Sequence, residues 1–578
     1  MDAIPDLQAH LTALLRDAVA RVLPGATAEP LLERPKQVEH GDYTSNIALQ
    51  LAKAARKSPR EVAAALLAGL GPSPYLDRAE IAGPGFINFH FRPEVRRRAP
   101  GWVLGAGERY GNRPAGERGR VLVEFVSANP TGPLHVGHGR GAAYGASLAN
   151  LLAAAGWRVE REYYVNDAGR QMDTLALSTW LRYLEAAGTD IPFPANGYQG
   201  DYVKAMGAQI WAVHGRRYLR PAEAVTAGAP AAEDDPEAHL DALIANAKKL
   251  LGEDYAYVHD FALTEQLGDG RNDLLEFGVN FDTWFSERSL FDSGAVARVV
   301  AQLDGAGHLY RQDGALWFRA TDFGDEKDRV VRRENGQFTY FASDIAYHFN
   351  KFQRGFDRLV NVWGADHHGY APRLKGAMGA LEQDPERLTV VLVQFAVLYR
   401  AGKKISMSTR GGQFVTLREL REEVGNDAAR FFYVLRNSDQ HLDFDLDLAK
   451  SRSNENPVYY VQYAHARICS VLAQWGKDPA ALVNADPAPL EEAQEMLLLR
   501  RLMEYPEIVE IAARELAPHI VAFYLKDLAG IFHSYYNATH FLAPDPALKL
   551  ARLALVAATG QVLRNGLGLL GVTAPEKM

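Results

Sequence analysis

Hydrophobic positions along the chain change period several times, and each change predicts a different kind of element. From residue 121 the run VLVEFV is apolar at both odd and even positions, as expected of a strand buried on both faces of a parallel sheet. A loop of turn residues, SANPTGPL, follows it. GRGAAYGASLANLLAAA then carries Leu148, Leu151, Leu152 and Ala155 at helical spacing, with Gly156 as the stop. WRVEREYYV, residues 157–165, reads as a second parallel strand and completes a strand–helix–strand unit. Asn166-Asp167-Ala168-Gly169 lies at its carboxyl end, where open α/β sheets hold ligands.

Further along, residues 172–290 are mostly helical and include an acidic Pro/Ala/Gly-rich stretch, RPAEAVTAGAPAAEDDPEA, expected to be exposed. GALWFRA, RVVRREN, FTYFASD and RLVNVWG resume the sheet, the last ending in Gly364-Ala365-Asp366-His367-His368-Gly369. TVVLVQFAVLY, residues 389–399, reads as one more strand, followed by the loop RAGKKISMSTRGGQ. From about residue 446 the period is helical to the end, with four or more long helices. Residues 1–110 form a separate small α/β unit. There Ser58 and Glu61 make a capping box around Pro59, and residues 86–91 alternate with Ile87, Phe89 and Phe91 on one face. The expected architecture is therefore α/β: a Rossmann-like parallel-sheet domain (111–445, helical insertion at about 172–290), preceded by a small α/β domain (1–110) and followed by an all-α bundle (446–578).

Composition narrows the class. The 578 residues are 47% hydrophobic and 23% charged, which supports several soluble cores. A single cysteine, Cys469, excludes an internal disulfide and a multi-cysteine zinc site and fits a reducing, cytoplasmic setting. No apolar run reads as a membrane span, and the N-terminus lacks a signal-peptide pattern. The net charge of −8 argues against indiscriminate nucleic-acid binding but leaves room for a structured RNA met by local basic patches.

The candidate chemistry sits where the first strand passes into its helix. His135, Gly137, His138, Gly139 and Gly141 cluster there. A helix start offers N–H groups and partial positive charge to phosphate, glycines let the backbone approach an anion, and imidazole N–H groups add donors. The junction reads as a nucleotide phosphate site. Gly137, Gly139 and Ala142 also fit G-x-G-x-x-A, with Glu160 as a ribose-binding acid, which would make a nicotinamide-dependent dehydrogenase. Against that rival, ten residues separate Val126 from Gly137, and the histidines have no task in it.

His135-Val-Gly-His138 after its Pro-rich loop resembles the HIGH signature of class I aminoacyl-tRNA synthetases. The longer string VEFVSANPTGPLHVGHGR is similar to that of arginyl-tRNA synthetases, as are VGNDAARFFYVLRNSDQHLDFDLDLA, the terminal GLGLLGVTAPEKM, and HGDYTSNIALQLAK with PGFINFHF near the start. The resemblance implies ATP-dependent attachment of L-arginine to tRNA(Arg) through an arginyl-adenylate, with Mg²⁺ accompanying ATP and no structural metal. A non-catalytic RNA-binding relative is the remaining alternative. The resemblance also implies site residues. His135 and His138 face the phosphates. Gly137, Gly139, Gly364, Asp366, His367, Met407 and Ser408 bind ATP, and Glu124, Asn129, Tyr340 and Asp344 bind arginine. A carboxylate pairs bidentately with a guanidinium, and Glu124 in an apolar strand is costly unless paired, which by itself suggests a cationic ligand. Tyr340 and Asp344, four apart, fall on one helical face.

The chain departs from the family's KMSKS loop. Ser406-Met407-Ser408-Thr409-Arg410 keeps neither lysine, so Lys403, Lys404 and Arg410 are expected to supply the charge. For the tRNA, the resemblance points to Phe86 and Asn88 in the N-terminal unit and to Tyr463, His465 and Arg467 in an anticodon-binding bundle. A monomer is expected.

Overall fold

The computed structural model describes residues 4–35, 37–405 and 415–578. At its centre five strands run parallel: β1 (Arg120–Phe125), β2 (Arg158–Val165), β3 (Thr283–Ser286), β4 (Arg358–Gly364) and β5 (Leu388–Val393). Their order is β5-β4-β1-β2-β3. The order reverses between β4 and β1, so the ligand crevice of a doubly wound sheet falls outside the carboxyl ends of those two strands. Helix α1 (Val136–Ala154) follows β1 and is buried almost all round, the mark of a core helix rather than a surface one. Gly145 permits that burial: a Cβ there would lie 2.5 Å or less from the Phe125 ring and its Cβ.

Helix α2 (Tyr340–Gln353) precedes β4. Of the segment FTYFASD, residues from Tyr340 on are helical, not the strand expected from its aromatics, while Phe338 makes only an isolated bridge to Arg332. Phe341, Ala342, Ile345, Ala346 and Phe352 repeat at three- and four-residue spacing and are buried together, so the helical period prevails over strand propensity. GALWFRA and RVVRREN do form strands, but in a separate antiparallel three-stranded sheet with Leu309–Gln312. The run 389–399 is also divided. It breaks at Gln394-Phe395, and β6 (Ala396–Arg400) joins a second small sheet with β7 (Lys403–Lys404) and β8 (Leu442–Asp445). The insertion is helical as expected. Its Pro/Ala/Gly-rich stretch, however, contains the helix Ala222–Val225 with Val225 fully buried, so it is anchored rather than a plain linker.

The C-terminal bundle comprises α3 (Pro457–Trp475), α4 (Ala493–Arg514), α5 (His519–Ala538) and α6 (Pro546–Leu569). One hydrophobic core runs from Phe125 and Leu148 into Tyr505, Leu525 and Leu563, joining bundle to sheet. By length and composition α6 is apolar enough to cross a membrane, which corrects the sequence reading, and 67% of its most apolar window is buried inside the protein. That burial is what the core helix of a bundle shows.

In the N-terminal unit the strand Phe86–Phe91 is an inner strand of a four-stranded antiparallel sheet. Ile87, Phe89 and Phe91 are buried as expected, but Asn88 and His90 are buried too. Ser58, Pro59 and Glu61 form the expected capping box. Arg34 ties this unit to α4 through two 2.8 Å hydrogen bonds to Glu507.

Candidate active site

The two histidines cap α1 reciprocally. His135 is the N-cap, and its Nδ1 accepts from Gly137 N–H at 3.1 Å. His138 Nδ1 accepts from His135 N–H at 3.2 Å. The rings stack with centroids 3.7 Å apart. Because both Nδ1 atoms accept, each neutral ring carries its proton on Nε2. Burial lowers both pKa values, that of His138 to about 3 with the His135 charge adding to it, so both rings are neutral at pH 7. The expectation of free backbone N–H groups here is corrected. Val136 N–H donates to Val415, Gly137 N–H to the His135 ring, and His138 N–H to the His135 carbonyl. Donors for an anion at this helix start are therefore the imidazoles.

The glycines divide by role. A Cβ on Gly139 would sit 2.8 Å from the Tyr433 hydroxyl and 2.9 Å from Leu417. Gly139 is buried against these side chains, so it serves helix packing, which corrects its expected contact with ATP. Gly137 is half-buried and meets the His135 and Phe395 rings. Gly364 ends β4, and Asp366 and His367 beyond it are exposed. Lys403 and Lys404 are exposed in β7. Met407, Ser408 and Arg410 lie outside the described residues. The flanks of that segment are fixed, since Val136 N–H binds Val415 and Leu417 N–H binds Leu134, bringing the chain back onto the histidines.

The acids lie along the same strand ends. Just after β1, Val126 and Ser127 adopt φ of 67° and 43°, and a β-branched residue in this region is strained. The turn places Ser127 Oγ 2.9 Å from Glu124 and 3.1 Å from Tyr164 N. Glu124 is buried and bound by Lys351 Nζ at 2.5 Å. Lys351 also reaches Asn361 at 3.0 Å, across the Glu124–Asn361 register of β1 and β4. The charge of Glu124 is thus met inside the protein. Its position in an apolar strand no longer argues for a cationic ligand, which corrects the sequence argument.

Asp344 is different. It lies on α2 one turn from Tyr340, as the spacing predicts, and accepts a hydrogen bond from the Tyr370 hydroxyl. Burial, then the negative Glu287 and Glu124, push its carboxyl up to about 7, against the pull of Tyr370 and Lys351. Glu287, buried beside it, accepts from Ser343 Oγ at 2.9 Å, and burial raises its pKa. Three carboxylates therefore converge, and Lys351 neutralises one. Tyr340 is 56% exposed, and a Cβ on Gly169 would be 3.2 Å from its hydroxyl, so it leans over the loop that follows β2. Asn129 is exposed and bonded to Asn166 at 3.1 Å. Sequence reasoning missed Glu287, Lys351, Tyr370 and Ser343; they come from three separate segments, Ser343 and Lys351 sharing α2, and the one signal was a row of polar residues inside otherwise apolar helices and strands.

Among the RNA candidates, Phe86 is 37% exposed, whereas Asn88 at 3% is sealed in the sheet and is corrected as a base contact. Tyr463 and Arg467 are half-buried on α3, with the guanidinium 4.4 Å from the Tyr463 ring and 4.6 Å from that of Tyr536. His465 turns inward to the Pro575 carbonyl. Glu160, the ribose acid of the dinucleotide alternative, is paired with Arg354 at 2.6 Å.

A parallel sheet with a histidine-capped helix after its central strand is the catalytic architecture of class I aminoacyl-tRNA synthetases, and the profile of the class I (R) tRNA synthetase catalytic domain matches residues 102–193 and 273–448. Residues 9–91 match the arginyl tRNA synthetase N-terminal domain and 461–578 the DALR anticodon binding domain. The chain is 64% identical over 575 residues to arginine–tRNA ligase of Nitrosospira multiformis, covering 99% of each chain. It is 63% identical over 585 residues to that of Azoarcus sp., covering 99% of this chain and all of the other. Among solved structures, Thermus thermophilus arginyl-tRNA synthetase superposes with a TM-score of 0.76 at 25% identity, over 99% of this chain and 100% of that one. The chain belongs to the arginyl-tRNA synthetase family.

Proposed function

We propose that the chain joins L-arginine to tRNA(Arg) using ATP, in two steps at the cleft outside β1 and β4. An arginine carboxylate oxygen attacks the α-phosphorus of ATP, and the bond to pyrophosphate breaks. The terminal ribose hydroxyl of the tRNA then attacks the arginyl carbonyl, and AMP leaves. Reactions of this kind depend on positioning and on donors aimed at developing phosphoryl charge. His135 and His138 supply such donors through Nε2–H. Gly137, Gly364, Asp366 and His367 border the nucleotide, together with Met407 and Ser408. Lys403, Lys404 and Arg410 stand in for the KMSKS lysines.

Asp344, with Glu287 beside it and Tyr340 above, takes the guanidinium; Asn129 holds the other end of arginine, and Glu124, already paired with Lys351, acts on the ligand only through its charge. The observation that carries this reading is the excess of carboxylates over cations at Asp344. Among the described residues no group of three or more His, Cys, Asp or Glu is arranged to hold a metal. Mg²⁺ accompanies the triphosphate in this reading, held by its oxygens and water. Phe86 in the N-terminal unit (1–110) and Tyr463 and Arg467 in the bundle (446–578) meet the tRNA. The protein acts as a cytoplasmic monomer. Pyrophosphate exchange with arginine and ATP, run with and without tRNA, tests the reading: arginine-dependent exchange supports it, and tRNA binding with no exchange under either condition overturns it.

A further inference from the structure

The helical insertion bends back onto the loop that leaves β1. The helix Arg170–Ala186 starts directly from the loop after β2, and the helix Asp201–His214 returns against it. Gly207 sets how close the two lie, since a Cβ there would stand 2.6 Å from the backbone of Arg182 and Tyr183. The turn between them is fixed from within. Tyr198 N–H donates to Ser178 Oγ at 3.0 Å, Asn196 donates to the Pro236 carbonyl at 3.0 Å, and the Arg182 guanidinium lies 3.8 Å from the centre of the Phe193 ring. Gly200 is bare because a Cβ would overlap the Tyr202 ring.

What this frame presents is Tyr202. Its ring packs half-buried on the small core of Met172, Val203 and Met206, and its hydroxyl donates to the Thr131 carbonyl at 2.6 Å. Gly132 lets the hydroxyl in, for a Cβ there would be 3.0 Å from it. Thr131 N–H in turn donates to the Asn129 carbonyl at 2.8 Å. The backbone of one residue therefore links Tyr202 to Asn129. The far end of this loop is held separately, by Leu417 N–H on the Leu134 carbonyl and Val136 N–H on the Val415 carbonyl. Release of Tyr202 is thus felt at Asn129 before it is felt at the histidines.

We propose that Tyr202 is a positioning residue for arginine: acting from the insertion through the backbone of Thr131, it holds Asn129 where the amino-acid end of the substrate arrives. A loop ordered before binding spares the ligand the cost of ordering it. The inference rests on the reading that Asn129 binds that end of arginine.

The test is calorimetric titration of the full chain with arginine and with n-butylguanidine, which keeps the guanidinium arm but lacks the amino and carboxylate groups. Wild type, Y202F, N129A and Y202F/N129A are compared. Y202F removes one hydroxyl and leaves the ring in the insertion's core. Positioning predicts that Kd for arginine rises at least threefold in Y202F, the scale of one hydrogen bond lost, while Kd for butylguanidine stays within twofold. Because Tyr202 acts through Asn129, the double variant binds arginine within twofold of N129A. An arginine Kd in Y202F less than threefold above wild type, equal losses for the two ligands, or losses that multiply in the double variant overturn the proposal. An N129A protein with wild-type arginine affinity fails the underlying reading instead.

Discussion

The two ends of the cleft are built by opposite means. At the α1 end, charge is removed: burial keeps both imidazoles neutral, and the backbone donors of the first turn are already used, so the proposed donors are the imidazoles. At the α2 end, charge is concentrated: Asp344, Glu287 and Glu124 approach one another with one lysine among them. The first end suits an anion whose charge develops during reaction, because neutral fixed donors need no reorganisation. The second suits a permanent cation, whose arrival relieves repulsion among the acids. Lys351 marks the boundary, since it converts Glu124 from a ligand-seeking acid into an internally satisfied one.

The sharpest way to break that contrast is at Lys351. K351M leaves Glu124 buried without its partner, and removing one member of such a pair costs about 3–5 kcal/mol. Urea unfolding should show a loss of that order, and K351M/E124Q should recover most of it. If K351M is as stable as wild type, the pairing is not what holds Glu124.

Next in size is the α1 end. H138A should lower kcat about 10²–10³-fold, the usual effect of losing one preorganised donor, with a smaller change in KM for ATP. Steady-state charging assays check this, and a pure KM effect would assign His138 to ground-state binding instead.

At the α2 end, D344N should raise KM for arginine about 10–100-fold, in line with the roughly 1.5–3 kcal/mol of a charge-assisted hydrogen bond. KM for ATP should stay put. Equal losses for the two substrates would dissolve the distinction between the ends.

The smallest effect is on pH. The Asp344 carboxyl is raised to about 7 in the folded protein, chiefly by burial and then by Glu287 and Glu124. A guanidinium favours its ionised form, so KM for arginine should fall as pH rises from 6 to 8, and D344N should flatten this profile. Stability runs the other way. A group whose pKa is raised on folding holds its proton more tightly when folded, so stability is lost as pH rises from about 4, the ordinary carboxyl value, to about 7. Relative to wild type, D344N should therefore melt higher at pH 8 and not at pH 4. No pH-dependent difference in melting would mean that Asp344 is not held protonated.

The contrast also explains what could be read from the residues alone. The α1 end is local: strand, glycines and histidines fall within about twenty positions, so period and spacing suffice to place His135, His138 and the parallel sheet. Even there the glycines misled, because packing of Gly139 against Tyr433 is a long-range fact. The α2 end is assembled from β1, β3, α2, β4 and the helix beyond it. Tyr340 and Asp344 were legible as one helical face. Lys351 was not, because nothing in its neighbourhood announces a partner 227 positions away. Asn88 failed for a similar reason: alternation in Phe86–Phe91 marks a half-buried strand, but an inner strand covered on both faces buries its polar positions too. The division of residues 389–399 was hidden because a single polar residue, Gln394, is too slight a mark in an otherwise apolar run; the partner that holds the break, buried Arg140 on the Gln394 carbonyl, lies 254 positions away.

The central claim is that negative charge left over around Asp344 selects the substrate. Citrulline has the shape of arginine with a neutral ureido group in place of the guanidinium, so comparing kcat/KM for arginine and citrulline in tRNA charging isolates that charge. The account predicts discrimination of at least a hundredfold in wild type, falling to tenfold or less in D344N. Citrulline charged as well as arginine by wild type, or discrimination untouched in D344N, would contradict it.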